Sequence, residues 1–269
     1  MTDRSLLLVG CGRMGSALLT RWKKSATIGI QDFWVIEPNA PTMRGMKSRW
    51  VSDLEFVPTS LRPHVIVFAV KPQQLSTMLP AFKKRFGSKP LYISIAAGKP
   101  LSFFHSHLGR DAHIVRVMPN TPALIGKGMS VLCASKALPS IAKKTATNLL
   151  AAVGQTSWIE NEQWMDAVTA VSGSGPAYVF LFLDALTQAG IEHGLPEAMA
   201  KQLAIATLIG SGELARASTD SLDALRQQVT SPGGTTEAGL RVLMEKNGLK
   251  SLVQEAVKKA AERSKELSK

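Results

Sequence analysis

Apolar and polar positions along the chain fall into two textures. Up to about residue 163, short apolar, β-branched runs alternate with amphipathic stretches; beyond it, Ala, Leu, Gln and Glu recur at helical spacing. In the first texture Ser5–Val9, Phe33–Glu37, Val65–Ala69, Leu91–Ile95 and His113–Val117 read as strands, with Ser130–Ala134 and Thr156–Ile159 as weaker ones. Most intervening stretches are long enough for crossover helices, which predicts a mostly parallel sheet covered on both faces. Val65-Ile66-Val67-Phe68-Ala69 is apolar without a break, as a central strand buried on both sides requires. In the second texture Pro176 can start a helix after Ser-Gly-Ser-Gly. The helix that follows, Ala177–Ala189, is apolar on nearly every side, so it must be buried all round, inside a bundle or against another subunit. Further helices are expected over Pro196–Ala215, Thr235–Lys246 and Leu249–Leu267. The fold class is therefore α/β, with an α/β domain over 1–163 and an all-α domain over 164–269.

Charge sharpens this division. Residues 1–163 carry 21 Lys plus Arg against 8 Asp plus Glu, and residues 164–269 carry 11 against 12. The whole net charge of +12 thus sits in the first part, where it favours anionic ligands such as nucleotides. The cluster Lys83-Lys84-Arg85 suits the end of a helix, where cations complement the dipole. Few aromatics and no zinc-finger or RNA-recognition signature argue against nucleic acid as partner. The only cysteines, Cys11 and Cys133, exclude a disulfide scaffold and a cysteine-only metal site. Among the histidines only His105 and His107 are closely spaced, and that pair suits a surface better than a metal. The longest apolar run, Ala177–Leu183, is far short of a bilayer span, and Met1-Thr2-Asp3-Arg4 is no secretory leader. The expectation is a cytoplasmic protein with no membrane partner.

The most specific chemistry lies at the first strand. Leu6-Leu7-Leu8-Val9 runs into Gly10-Cys11-Gly12-Arg13-Met14-Gly15, and Ser16–Lys24 has helical composition. This is G-x-G-x-x-G in the strand–turn–helix setting that binds a dinucleotide. Gly10 permits the tight turn, Gly12 lets a pyrophosphate approach the backbone, and Gly15 lets helix and strand pack closely. Cys11 supplies small size. Glu37 ends the second strand, 22 residues after Gly15, where an acid can accept hydrogen bonds from an adenosine ribose and repel a 2′-phosphate. Asn39, Arg44 and Lys47 stand just downstream in a basic domain and pull the other way; Glu37 could equally be a surface carboxylate before a proline turn. NAD and NADP both remain open.

Ligands in open α/β sheets bind at the carboxyl ends of the strands. Three unusual segments fall there: Ala69-Val70-Lys71-Pro72, Ser94-Ile95-Ala96-Ala97-Gly98 and Met118-Pro119-Asn120-Thr121-Pro122. Ala96, Ala97 and Gly98 would let a flat ring lie against backbone, while Asn120 and Thr121 offer polar groups between two prolines. In the helical part, Ser172-Gly173-Ser174-Gly175-Pro176-Ala177-Tyr178 and Ser231-Pro232-Gly233-Gly234-Thr235-Thr236 each open a helix. Free N–H groups, hydroxyls and glycines make such a loop an anion pocket. Simple helix capping needs only one Ser or Thr, fewer than the second loop carries, so that loop is the candidate carboxylate site.

Together these six segments resemble pyrroline-5-carboxylate reductase, with a match over almost the whole chain. The resemblance implies reduction of Δ1-pyrroline-5-carboxylate to L-proline with NADPH or NADH. It implies a Rossmann-type dinucleotide-binding domain and a helical substrate and dimerisation domain, in dimers that can assemble further. It implies cofactor contacts from Gly10, Gly12, Arg13, Met14, Gly15, Glu37, Ala69, Val70, Lys71, Pro72, Ala97, Gly98 and Asn120. Substrate contacts would come from Ser174, Ser231, Gly233, Gly234, Thr235 and Thr236. The N–H groups of Gly233 to Thr235 would hold the carboxylate, with the Thr236 hydroxyl near the imine nitrogen as the catalytic group. Lys71 sits near the nicotinamide or faces solvent. Glu37 departs from what an NADP-dedicated member would carry, and Arg49–Thr59 holds no clear match to the family's phosphate-contacting residue. Two other readings stand beside this one: a related imine or β-hydroxyacid reductase on the same architecture, and a non-enzymatic nucleotide or nucleic-acid binder suggested by the basic first part.

Overall fold

The computed structural model describes residues 4–25, 27–39, 48–135 and 138–267. Among these, one eight-stranded sheet is built from β1 (Ser5–Val9), β2 (Asp32–Ile36), β3 (Arg49–Val51), β4 (Val65–Phe68), β5 (Leu91–Ser94), β6 (His113–Met118), β7 (Gly128–Ala134) and β8 (Gly154–Trp158), in the order β3-β2-β1-β4-β5-β6-β7-β8. All neighbours run parallel except β6 and β7. The order reverses beside β1, which pairs with β2 on one side and β4 on the other; this is the crevice where a doubly wound sheet takes its ligand. Seven of these strands correspond to runs expected from the sequence, β7 and β8 included. The short β3 does not, because three residues, Arg49-Trp50-Val51, are too few to show an alternation. It forms only as an edge, with Trp34 opposite Arg49 and Ile36 opposite Val51.

The helices are α1 (Arg13–Lys24), α2 (Pro72–Phe86), α3 (Leu101–Leu108), α4 (Ser140–Ala151), α5 (Met165–Val168), α6 (Gly175–Glu192), α7 (Glu197–Ala217), α8 (Leu222–Gln228), α9 (Thr235–Leu243) and α10 (Leu249–Leu267). Side-chain alternation along the strands divides the core in two. Leu6, Leu8, Val65, Val67, Leu91 and Ile93 pack with Leu18, Leu19 and Trp22 of α1 and with Leu149 and Leu150 of α4. Leu7, Val9, Ile66, Phe68 and Tyr92 pack with Leu75, Leu79 and Phe82 of α2 and with Phe104 and Leu108 of α3. Burial on both faces is why the strands read as unbroken apolar runs. The last turn of α2 carries Lys83, Lys84 and Arg85 against the helix dipole, as their spacing suggested.

The chain separates into two compact units, Met1–Gly173 with Ala260–Lys269, and Ser174–Lys259. In the first unit, buried Arg116 on β6 donates to Glu162 Oε1 at 2.8 Å, and the same oxygen accepts the Leu101 N–H at 2.8 Å. One carboxylate thus neutralises a guanidinium inside the fold and fixes the start of α3. In the second unit α6 packs against α7, close enough that a Cβ on Gly190 would lie 3.2 Å from that of Ala200. The other faces of α6 are open within one chain: Phe180 is 63% and Leu181 70% exposed. An exposed apolar surface of this kind marks an interaction face. The helical stretch Glu162–Glu192 is also long and apolar enough to cross a bilayer by length and composition, which the separate apolar runs in the sequence did not suggest.

Removing one partner of the Arg116–Glu162 pair leaves a charge inside the protein. Glu162→Ala is expected to cost about 3 kcal/mol in urea unfolding, and pairing it with Arg116→Met is expected to restore most of that loss. A single variant as stable as the parent would show that the pair carries no burial cost.

Candidate active site

At the carboxyl end of β1 three glycines act for three different reasons. Gly10 adopts φ +87°, and a Cβ there would stand 2.7 Å from Val70 Cγ1 and 2.8 Å from the Ala69 carbonyl oxygen. Gly12 caps α1, with no atom within 4 Å of where its Cβ would project. Gly15 is buried, and a Cβ on it would meet the Gly10 carbonyl oxygen at 2.4 Å. The turn, the open approach and the helix–strand packing expected of Gly10, Gly12 and Gly15 are all present. Among the described residues no side chain caps α1, and its first turn holds no acid, so the N–H groups of Arg13 and Met14 and the positive end of the dipole remain for a ligand. The open space at Gly12 and these donors fit the pyrophosphate of a dinucleotide.

Glu37 follows β2 beside this loop. Its Oε2 accepts the Cys11 N–H at 2.8 Å and its Oε1 accepts the Asn39 N–H at 3.2 Å. It is therefore a fixed part of the glycine turn and no loose surface carboxylate. Cys11 is buried, and burial followed by the nearby Glu37 charge pushes its thiol up to about 11, so it remains a neutral, small side chain. Arg44 and Lys47, named above against Glu37, lie outside the described residues.

The other carboxyl-end segments gather in the same unit. Ala69 and Val70 abut Gly10. Lys71 is exposed as the residue before α2, and Pro72 starts that helix. Ala96 is buried and Ala97 half-buried. Gly98 adopts φ +79°, and a Cβ there would lie 3.0 Å from the Leu267 carbonyl oxygen, so the last turn of α10 closes over it. Asn120 is engaged: its Oδ1 accepts the Met129 N–H at 2.8 Å, and its Nδ2 lies 3.4 Å from Ser172 Oγ. Thr121 is exposed. His105 and His107 turn Nδ1 toward the carbonyls of Gly109 and Phe103.

The Ser-Gly-Ser-Gly segment differs from the expected loop. Thr169–Gly173 forms a π-helical turn that follows α5 directly, and α6 starts at Gly175. Gly173 lies against the end of the Met118 side chain, where a Cβ would require that flexible side chain to move. A single widened helical turn has no signature of its own in the sequence. Ser174 precedes α6 and makes no side-chain cap.

In the second unit, Ser231–Thr236 folds into a turn closed by its own backbone. The Gly234 N–H donates to the Ser231 carbonyl at 3.0 Å, and the Gly233 N–H donates to Glu237 Oε2 at 2.7 Å. Two of the three N–H groups expected to hold a carboxylate are thus already occupied. Gly233, at φ +71°, and Gly234 shape the turn, and the donors left in the first turn of α9 are the N–H groups of Thr235, Thr236 and Glu237. No side chain caps α9, so Ser231, Thr235 and Thr236, all exposed, are not explained as helix caps. Glu237 was missed from sequence, although an acid three residues after the capping position is the capping-box signal.

The family described as pyrroline-5-carboxylate reductase dimerisation matches residues 162–267. A pyrroline-5-carboxylate reductase of Pseudomonas aeruginosa is 42% identical over 204 residues, 76% of this chain and 74% of that one. One from Synechocystis is 38% identical over 266 residues, 97% of each chain. The crystal structure of the Plasmodium falciparum pyrroline carboxylate reductase with NADP bound superposes with a TM-score of 0.88 at 34% identity, covering 100% of both chains.

Neighbouring glycines should respond in opposite ways. Gly15→Ala forces a methyl into the Gly10 carbonyl and is expected to cost about 3 kcal/mol or more in thermal or urea unfolding. Gly12→Ala meets open space and is expected to stay within about 0.5 kcal/mol of the parent. Equal losses at both positions would contradict the packing described for this turn.

Proposed function

The chain belongs to the pyrroline-5-carboxylate reductase family, and on that premise we propose how its own residues divide the work. The enzyme reduces Δ1-pyrroline-5-carboxylate to L-proline with NADH or NADPH, the last step of proline biosynthesis. The observation that carries the assignment of roles is the glycine turn at the reversal of strand order, closed by Gly15 against Gly10 and open at Gly12.

The backbone around Gly10, Gly12, Arg13, Met14 and Gly15 holds the pyrophosphate, and Glu37 receives the adenosine ribose. Ala69, Val70, Lys71, Pro72, Ala97, Gly98 and Asn120 line the nicotinamide end. The small side chain of Ala97 leaves room for a flat ring against backbone, while Gly98, covered by the last turn of α10, shapes the turn beside it. Asn120, tied to Met129 and facing Ser172, acts by holding its loop in place. When bound, the reduced nicotinamide supplies the hydride accepted by the imine carbon, while the π electrons of the C=N bond pass to the ring nitrogen.

Ser174, Ser231, Gly233, Gly234, Thr235 and Thr236 form the substrate side. The Thr235 and Thr236 N–H groups and the Ser231 hydroxyl hold the carboxylate at the positive end of α9. Glu237 keeps the turn preformed by holding the Gly233 N–H. The Thr236 hydroxyl accepts a hydrogen bond from the protonated imine nitrogen and so sets the orientation of the ring. A protonated imine is already electrophilic, and the protein's contribution is position and charge matching.

The open apolar face of α6 carries Phe180, Leu181, Phe182 and Leu186 within the region matched by the dimerisation family. A second copy of the chain is the partner that this face fits, giving a homodimer whose dimers can assemble further. A cytoplasmic location is part of this reading.

The test is oxidation of NADH and of NADPH, each followed by absorbance, with and without Δ1-pyrroline-5-carboxylate. Thr236→Val is expected to lower kcat about tenfold or more while leaving nucleotide affinity nearly unchanged. Unchanged turnover would remove Thr236 from the mechanism. Leu181→Glu should shift the protein toward monomer in sedimentation, and an unaltered mass would place the subunit contact elsewhere.

A further inference from the structure

The sequence leaves two roles open for Glu37, and the structure separates them. Each of its carboxylate oxygens accepts one backbone N–H, from Cys11 in the glycine turn and from Asn39 beyond β2, at 2.8 and 3.2 Å. Swinging the carboxylate away would strip the acceptor from the N–H of a buried residue. The charge is therefore pinned at the carboxyl end of β2, beside the turn that starts α1. A carboxylate offers two acceptor sites on each oxygen, so each keeps one free after these bonds. Those free sites suit the vicinal hydroxyls of a ribose.

A second acid follows the neighbouring strand. Val51 ends β3 in register with Ile36, which brings Ser52 and Asp53 to the same sheet edge as Glu37. Asp53 is also held, accepting the Glu55 N–H at 3.4 Å. Arg49, the basic residue of β3, lies at that strand's amino end, where it meets Asp32 at 3.7 Å and stacks over Trp34 at 5.2 Å. Arg13 is the first residue of α1.

We propose that Glu37 makes the dinucleotide site selective for a cofactor with a free ribose 2′-hydroxyl, so that this enzyme is an NADH-preferring member of its family. The inference rests on the glycine turn being the dinucleotide site. A 2′-phosphate carries a charge of about −1.5 to −2, and it would have to enter beside a pinned carboxylate. A carboxylate there accepts from both ribose hydroxyls of NADH at no electrostatic cost.

Equilibrium binding of NAD+ and of NADP+ to the purified full chain, by calorimetry, tests this without relying on turnover. The parent is expected to bind NAD+ about tenfold or more tightly than NADP+. Glu37→Gln keeps the shape and removes the charge, and should narrow that ratio about tenfold, mainly through tighter NADP+. Glu37→Ser should shift the ratio in the same direction. The kcat/KM ratio for the two reduced cofactors should follow the binding ratio. NADP+ bound by the parent as tightly as NAD+ would overturn the proposal, and so would a ratio left unchanged by both substitutions. Failure of folded parent protein to bind either nucleotide would overturn the dinucleotide site itself, and this proposal with it.

Discussion

The close approach of Gly15 to the Gly10 carbonyl is the contact on which the nucleotide-binding half depends. A Cβ at Gly15 would stand 2.4 Å from that oxygen, so only glycine lets α1 leave β1 at this angle. The same angle brings Gly10 against Ala69 and Val70 at the end of β4. It sets the first turn of α1 over the crevice where strand order reverses. The helix dipole, the uncapped N–H groups and the carboxylate of Glu37 then converge on one edge of the sheet because β1 lies between β2 and β4. The two-sided core makes this arrangement rigid, with α1 and α4 on one face and α2 and α3 on the other.

The helical part follows a different rule. Its apolar residues exceed what one chain can bury, and α6 leaves Phe180 and Leu181 largely exposed. In a homodimer this face becomes interior, and stability is then coupled to association. The polar turn Ser231–Thr236 is built locally. Glu237 and Ser231 consume two of its N–H donors, which fixes its shape before any ligand arrives. What remains for a carboxylate is a short run of donors at a helix start, together with hydroxyls that cap nothing.

Charge is used differently in the two places. In the first unit the Arg116–Glu162 pair is structural, with the guanidinium buried and the carboxylate also fixing the start of α3. Glu37 is likewise held by backbone donors, but it stands at the ligand edge, where its unused lone pairs and negative charge are available. One kind of charged hydrogen bond therefore secures packing on β6 and fixes a carboxylate beside the glycine turn of β1.

Sequence by itself determined most of the architecture, because strand and helix periods are local properties. Seven strands, the glycine turn and the switch to a helical second part all follow from spacing a few residues long. The order of motifs was likewise legible, and with it the family. Tertiary structure decided what depends on partners distant along the chain. The edge strand β3 exists only because β2 offers it a ladder. The Ser-Gly-Ser-Gly segment became a π turn against Met118, and Asn120 was taken up by Met129 N–H. Glu37 acquired its fixed position from Cys11, 26 residues away. Glu37 and Glu162 take donors far away in the chain, so which donors stay free for a ligand is settled only when the chain has folded.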